Sequence, residues 1–524
     1  MFAHLFGFVD TVYGRQIMKS FTPEDWLILG GYIVAICVMG SFFYRKKTTA
    51  GDFFLGGRRM KTIPVAISLV AAEMSAVSYM GAAAWTYQHN LELIWSSWTY
   101  LLVAPVVMFL FMPFYSRFKF YTAYEYLEQR FDLKTRLLGS SIFLLMRGSH
   151  VAIVIYAPSL VLSLITGLPL AGCVLIMGLC TTLYTALGGM KAVIWTDVMQ
   201  FSILITGIVA VAWLSVAHVP GGVHTIWRVA EDAGRLHLFN FSGDITQVTT
   251  FWAAAIGGGF MALSTLGTDQ AYLQRYFTTA SLKEGQRSIL LDAIIIVPVS
   301  LLLYAAGPIL YTFYHFNPDA LHGLPVTDAI LPYFVLTQLG GWLSGLVIAS
   351  IFAASMAVMS AGINALTTVT TVDFYKRLVR PNCSDAETVL AGRIGTVLWG
   401  MAATIAALFV GRLGPIINAF NMINSFLGGP ILGIFLLGML TKRVRGTAAI
   451  TGAIAGLVSV SLLAWKTEVS FFYYAIVGTV VTFGLGWLFS RVWSSPAETR
   501  PGEVTHAEEK TADPPSEILS DVSL

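Results

Sequence analysis

Apolar residues along this chain come in long uninterrupted runs. They do not alternate with polar residues as in a half-buried strand, and short polar connections separate them. Many runs reach the ~20 residues that an α-helix needs to cross a hydrocarbon core. The pattern predicts about thirteen spans, near 25–44, 62–86, 93–115, 137–165, 168–187, 194–217, 249–267, 288–313, 341–371, 388–411, 415–440, 447–465 and 470–492. The expected fold class is therefore an all-α polytopic membrane protein. Composition agrees: of 524 residues, 56% are hydrophobic and 12% charged, where a soluble chain carries about 25% charged residues.

Charge matters here through its placement. Lys and Arg collect in alternate connections: Arg45, Lys46, Lys47, Arg58, Arg59 and Lys61 in the first, Arg117, Lys119, Arg130, Lys134 and Arg136 in the third, then Arg275, Lys283 and Arg287, then Lys376, Arg377 and Arg380. The positive-inside rule puts these connections in the cytoplasm. The expectation is a multi-pass protein of the cell membrane with its N-terminus outside and its C-terminus inside. Residues 1–24 read as an extracytoplasmic N-terminus, 25–493 as the membrane domain, and 494–524, polar and proline-containing, as a disordered cytoplasmic tail. The four cysteines (Cys37, Cys173, Cys180 and Cys383) have no metal-ligand spacing and read as free thiols. No phosphate loop, metal-binding His cluster or hydrolase triad is evident, so no enzyme and no cofactor is expected. Nothing suggests nucleic acid or an obligatory protein partner. The partners implied are the bilayer, a small solute and a coupling ion.

Ionisable residues inside spans are costly and mark functional positions. Glu73 lies midway along the second span among small residues, in a stretch running from Ser68 past Ala71, Met74, Ser75 and Ser78. This suits an unwound helix whose free carbonyls line a cavity. Arg147 and His150 share one face of the fourth span. A buried Arg requires a carboxylate, and three are open: one on a substrate, Glu73, or Asp197 of the sixth span. Asn418, Asn421 and Asn424 form a stripe on the eleventh span, able to bind a polar solute or to join helices. The candidate solute-binding residues are Ser75, Ser78, Arg147, His150, Asn418 and Asn421. The stretch from Asp269 to Arg275 reads as an interfacial structural element.

Several ordered motifs resemble the solute:sodium symporter family, which includes sodium–glucose, iodide, monocarboxylate and sialic acid symporters. They are Gly51–Gly57 (GDFFLGG), Tyr124–Phe131 (YEYLEQRF), Tyr184–Asp197 (YTALGGMKAVIWTD), Asp269–Arg275 (DQAYLQR) and Thr371–Tyr375 (TVDFY). The resemblance implies a LeuT-type fold of two inverted five-helix repeats, about 62–217 and 249–440, with one extra N-terminal and two extra C-terminal helices. It implies a midplane solute site, alternating access and Na+ as the coupling ion. The implied sodium ligands are the carbonyls of Ala71, Met74 and Ala354, with two hydroxyls one turn later. Here those two positions are Ala357 and Val358, which depart from the family pattern, and Ser355 and Ser360 flank them. Glu73 would ligate Na+ directly or take up H+ in its place, and Asp197 matches an acid of a second sodium position or gate. The expected function is a secondary symporter for a small carboxylate-bearing solute driven by Na+. The alternatives are proton coupling on the same fold, or a cation-independent uniporter, channel-like protein or sensor.

Overall fold

A computed structural model of the protein describes residues 21–492 except 44–48, 119, 322–323, 325 and 340–341. The expected polar tail, Arg45, Lys46, Lys47, Lys119 and most of the N-terminal segment lie outside the described residues. Ten helices are long and apolar enough to cross a membrane: α1 (Pro23–Phe42), α4 (Ile94–Tyr115), α5 (Leu133–Thr166), α7 (Gly188–Ala217), α10 (Leu282–Phe316), α11 (Trp342–Val379), α12 (Asp385–Arg412), α13 (Ile416–Leu440), α14 (Gly446–Lys466) and α15 (Phe472–Val492). The second expected span is a pair, α2 (Thr62–Glu73) and α3 (Ala76–Gln88), bent by 53°. Two shorter apolar helices, α6 (Leu170–Ala186) and α8 (Ala253–Thr268), stand where the remaining expected spans fall. Among the described residues the one β feature is an isolated bridge between Met60 and Thr279.

Local chemistry sets the helix ends. Thr22 caps α1 in a capping box with Asp25, with Pro23 at the first helical position. Asp132 opens α5 by accepting the Thr135 N–H at 2.8 Å, and Gly167 closes it in the left-handed region. Ser384 and Glu387 box the start of α12. The Gly188–Gly189 pair has a specific use. Gly189 sits at φ 62°, ψ −169°, and a Cβ there would stand 2.8 Å from the Phe53 carbonyl oxygen. The chain turns at this point, so α7 begins at Gly188 and not near 194 as the apolar run suggests.

Helix α11 forms the centre: every residue from Val347 to Val369 is buried. Around it, α1 and α12 expose Leu27, Val34, Leu398 and Ile405 on the outer surface, as lipid-facing helices must. Asp25 of α1 is fully buried and accepts the Gly345 N–H at 2.6 Å, satisfying an orphan donor in the first turn of α11.

The Asp269–Arg275 stretch corrects the expectation of an interfacial element. It opens α9 (Gln270–Phe277), a second helix after a break at Asp269, and Gln270 to Tyr276 are all buried. Arg275 anchors it. Its Nη2 donates to Asp197 of α7 at 2.9 Å, its Nε to Ser68 Oγ of α2 at 2.7 Å, and Ser68 Oγ donates to Asp197 at 2.5 Å. Asp197 is thus an interior ion-pair partner that ties three helices together.

Two consequences are measurable by thermal unfolding in detergent. Gly189→Ala strains a glycine-only conformation and should cost about 1–3 kcal/mol, whereas Gly172→Ala, whose Cβ meets nothing within 4 Å, should leave the midpoint nearly unchanged. Asp197→Asn strips the charge from a buried pair and should cost about 3–5 kcal/mol. An unshifted midpoint would show that Arg275 is neutralised elsewhere.

Candidate solute and cation site

The two broken spans differ in how their breaks are satisfied. At the second break, tyrosine hydroxyls cover three successive carbonyls. Tyr276 donates to Leu266 at 2.7 Å, Tyr115 to Gly267 at 2.8 Å and Tyr124 to Thr268 at 3.1 Å. At the first break, Ser75 caps α3 by accepting the Val77 N–H at 3.1 Å, and Ser355 of α11 accepts the Ala76 N–H at 3.3 Å. Tyr272 covers the Ala72 carbonyl at 3.2 Å and Ser78 the Glu73 carbonyl at 3.3 Å. The backbone bonds crossing this break run from Met74 to Val70 and from Tyr79 to Ser75, which leaves the carbonyls of Ala71 and Met74 outside the ladder. Free carbonyls of this kind are what a hard cation takes.

A cavity of about 100 Å³ lies between the breaks. Of the sequence candidates, Glu73, Met74, Ser78, Arg147, His150 and Asn421 line it. Ser75 and Asn418 are not in its wall, nor are Ala71, Asp197, Ala354 and Ser355. Ala357 and Val358 are buried and carry no hydroxyl; the nearby Ser360 hydroxyl donates to the Ala357 carbonyl at 3.0 Å. The carbonyl set around Ala71, Met74 and Ala354 therefore has no side-chain oxygen from those two positions.

Arg147 finds a partner other than those the sequence offered. Neither Glu73 nor Asp197 receives it; the guanidinium pairs with Asp269. Asp269 is itself held by the Ala271 N–H on its other oxygen, at 2.8 Å. The pair is 1–2% exposed. Arg147 Nη1 meets His150 Nδ1 at 2.9 Å. Because a guanidinium only donates, Nδ1 accepts, and the imidazole is neutral with its proton on Nε2. The Tyr272 ring lies 5.5 Å from the guanidinium carbon and Phe420 packs edge-on to His150 at 4.6 Å. Arg147 Nε has no partner among the described residues. The arginine is thus aimed and charge-balanced, and its Nε is not engaged by any described residue.

Tyr100, Thr265, Tyr272, Ser300, Tyr304 and Asn424 add further polar groups to the wall. The aromatic and hydroxyl residues carry no sequence signal, since they are ordinary in membrane helices. Asp292 of α10 does carry one: it is a carboxylate inside an apolar run, found by the same rule that singles out Glu73. It is 0% exposed, and both its oxygens lack a partner among the described residues.

Away from the cavity, a charged network joins α5 to α11 at the end bearing the 116–132 connection. Arg136 bridges Asp373 at 2.5 Å and Glu128 at 2.7 Å, and Arg377 bridges Glu128 at 2.7 Å. Burial alone would raise the Glu128 carboxyl, but its bonds to Arg377 and Arg136 outweigh that and hold it below its ordinary value.

The model of the sodium:solute symporter family matches residues 53–456. The sodium/sialic acid symporter NanT of Aliivibrio fischeri is 29% identical over 473 residues, covering 90% of this chain and 93% of that protein. Sodium-coupled monocarboxylate transporter 1 of Homo sapiens is 32% identical over 454 residues, covering 86% and 74%. A solved structure of a Na+-coupled sialic acid symporter, substrate-bound and outward-open, superposes with a TM-score of 0.85 at 28% identity over 92% of this chain and 100% of that one. With motifs, broken spans and matched length in agreement, this chain belongs to the sodium:solute symporter family.

Proposed function

We propose that the protein is a secondary active symporter that takes up a small carboxylate-bearing solute together with Na+ by alternating access. The observation that carries the solute class is Arg147. It is buried, lines the cavity between the two helix breaks and is fixed by Asp269, and its Nε is not engaged by any described residue. A guanidinium so placed offers a planar donor edge to a carboxylate. Ser78, Asn421 and Asn424 supply neutral polar contacts, and Val77, Met261 and Ile296 an apolar wall. This mix suits a small organic acid with an apolar or hydroxylated body. The relatives named for sialic acid and monocarboxylate transport support the same class.

The alternation of basic connections supports a cell-membrane protein with its N-terminus outside and its C-terminus inside. In that orientation the Arg136–Asp373–Glu128–Arg377 network lies at the cytoplasmic end, where it serves as the inner gate between α5 and α11.

The test is uptake of radiolabelled lactate and of sialic acid into proteoliposomes, with sodium and proton gradients imposed separately. Accumulation above equilibrium under an inward sodium gradient is expected for one of these acids. Uptake that stays flat under both gradients would remove the symporter reading. Arg147→Lys keeps the charge for Asp269 but loses the planar fork. It should cost about 1.5–3 kcal/mol of solute binding, roughly ten- to a hundredfold in apparent affinity. Unchanged affinity would show that Arg147 serves only Asp269.

A further inference from the structure

A second recess lies at the end of the molecule that carries the 116–132 connection. It is a groove of about 1070 Å³ between the ends of α13, α14 and α15, and it shares no lining residue with the solute cavity. The turn between α13 and α14 supplies Lys442, Arg443 and Arg445 to its wall, and the last turn of α15 supplies Arg491. No Asp or Glu is among the described residues of that wall. The Asp132 carboxylate approaches Gly446 from beyond it, and one of its oxygens is taken by the Thr135 N–H at the start of α5.

The basic turn is held in place from below. Arg130 donates through Nε to the Gly438 carbonyl at 3.1 Å, through Nη1 to Val444 at 3.0 Å and through Nη2 to Thr441 at 2.6 Å. One guanidinium therefore fixes the backbone from which three cationic side chains project. Val444 is buried with Leu437 and Ala449, which turns its neighbours Arg443 and Arg445 outward, and both are exposed. On α15 the Arg491 guanidinium stands 4.2 Å from the centre of the Trp487 ring, a cation–π contact that steadies it at the groove's edge. Trp487 itself lines the groove, and tryptophan is the residue that settles at a membrane–water boundary. Apolar surface begins where the cations end. Leu440 in the wall is exposed, as are Leu488 and Val492 beside Trp487 and Arg491.

We propose that this groove binds the phosphate headgroup of an anionic phospholipid. The phosphate meets the basic turn and Arg491, and the acyl chains lie along the exposed apolar surface of α13 and α15. A soluble anion would use the cations alone, whereas a lipid uses both halves of the surface. In the orientation given above the lipid comes from the inner leaflet, where basic recesses between spans meet acidic headgroups. The site depends on the spans and their ends, so it stands apart from the symporter reading.

The test is a thermal-unfolding titration of the purified full-length protein in a neutral detergent. Dioctanoyl phosphatidylglycerol is the probe, with dioctanoyl phosphatidylcholine and inorganic phosphate in parallel. Phosphatidylglycerol should raise the midpoint saturably, as a ligand of the folded state does, and the other two should not. Arg443→Gln with Arg491→Gln removes two exposed charges. The midpoint without lipid should stay near that of wild type, and the apparent affinity for phosphatidylglycerol should fall roughly thirtyfold. Lys283→Gln with Arg287→Gln, an exposed basic pair of α10 outside the groove, should change it less than about twofold. No shift with phosphatidylglycerol overturns the proposal. An equal shift with phosphatidylcholine would show a general amphiphile effect, and one with inorganic phosphate a site for free anions; either overturns it. An equal loss in the α10 variant would mean diffuse charge attraction and overturns it too. Binding that emerges only after residues 494–524 are deleted would make that acidic segment the occupant and overturns it as well.

Discussion

The interaction on which the rest of this structure depends is the buried ion pair between Arg275 and Asp197. Arg275 sits on α9, beyond the break at Asp269, and Asp197 on α7, with Ser68 of α2 joining both. A guanidinium cannot lose its charge in a protein, so a matching carboxylate and acceptors must be present before this part of the chain can pack. Meeting that demand brings the second half of one broken span against the first half of the other. The cavity between Glu73 and Arg147 is a consequence of that juxtaposition.

The same demand organises the cavity itself. Asp269 caps α9 with one oxygen and receives Arg147 with the other. One side chain therefore fixes a helix start and aims the candidate solute-binding arginine from α5. His150 completes the set as an acceptor, which sets its tautomer. The two breaks divide the labour: three tyrosine hydroxyls close the second into a rigid support, while the first keeps two carbonyls uncovered beside Glu73. Rigid support on one side and unsatisfied oxygen on the other is the arrangement expected of a site that exchanges a cation.

Much of this was legible in the linear pattern. Long apolar runs are the local requirement of a bilayer, so they mark the spans whatever their packing. The depth of Glu73 and Arg147 in such runs marked them for the same reason. The run beginning near 194 hid the start of α7, because Gly188, Gly189 and Lys191 read along the sequence as a connection between spans, whereas the helix already begins at the turn. Asp269 to Arg275 looked interfacial because a polar stretch next to a span usually is. In the fold it is interior, and its polar groups are matched by groups from α2, α5, α7 and α11.

What the sequence determined by itself is the class of the protein: helical, membrane-spanning, with ionisable groups at midspan and the motifs of a symporter family. Those features are set by the solvent each segment must meet, and a segment carries that information alone. Which acid answers which arginine was decided only by the tertiary structure. Glu73 and Asp197 were the partners in view for Arg147, yet Asp269 takes it, Arg275 takes Asp197, and the carboxylates of Glu73 and Asp292 accept no hydrogen bond from any described residue. Pairing depends on which helix faces cross. In a bilayer, where most of each span's surface is apolar whether it meets lipid or another helix, the pattern along one helix does not say which neighbour it will meet.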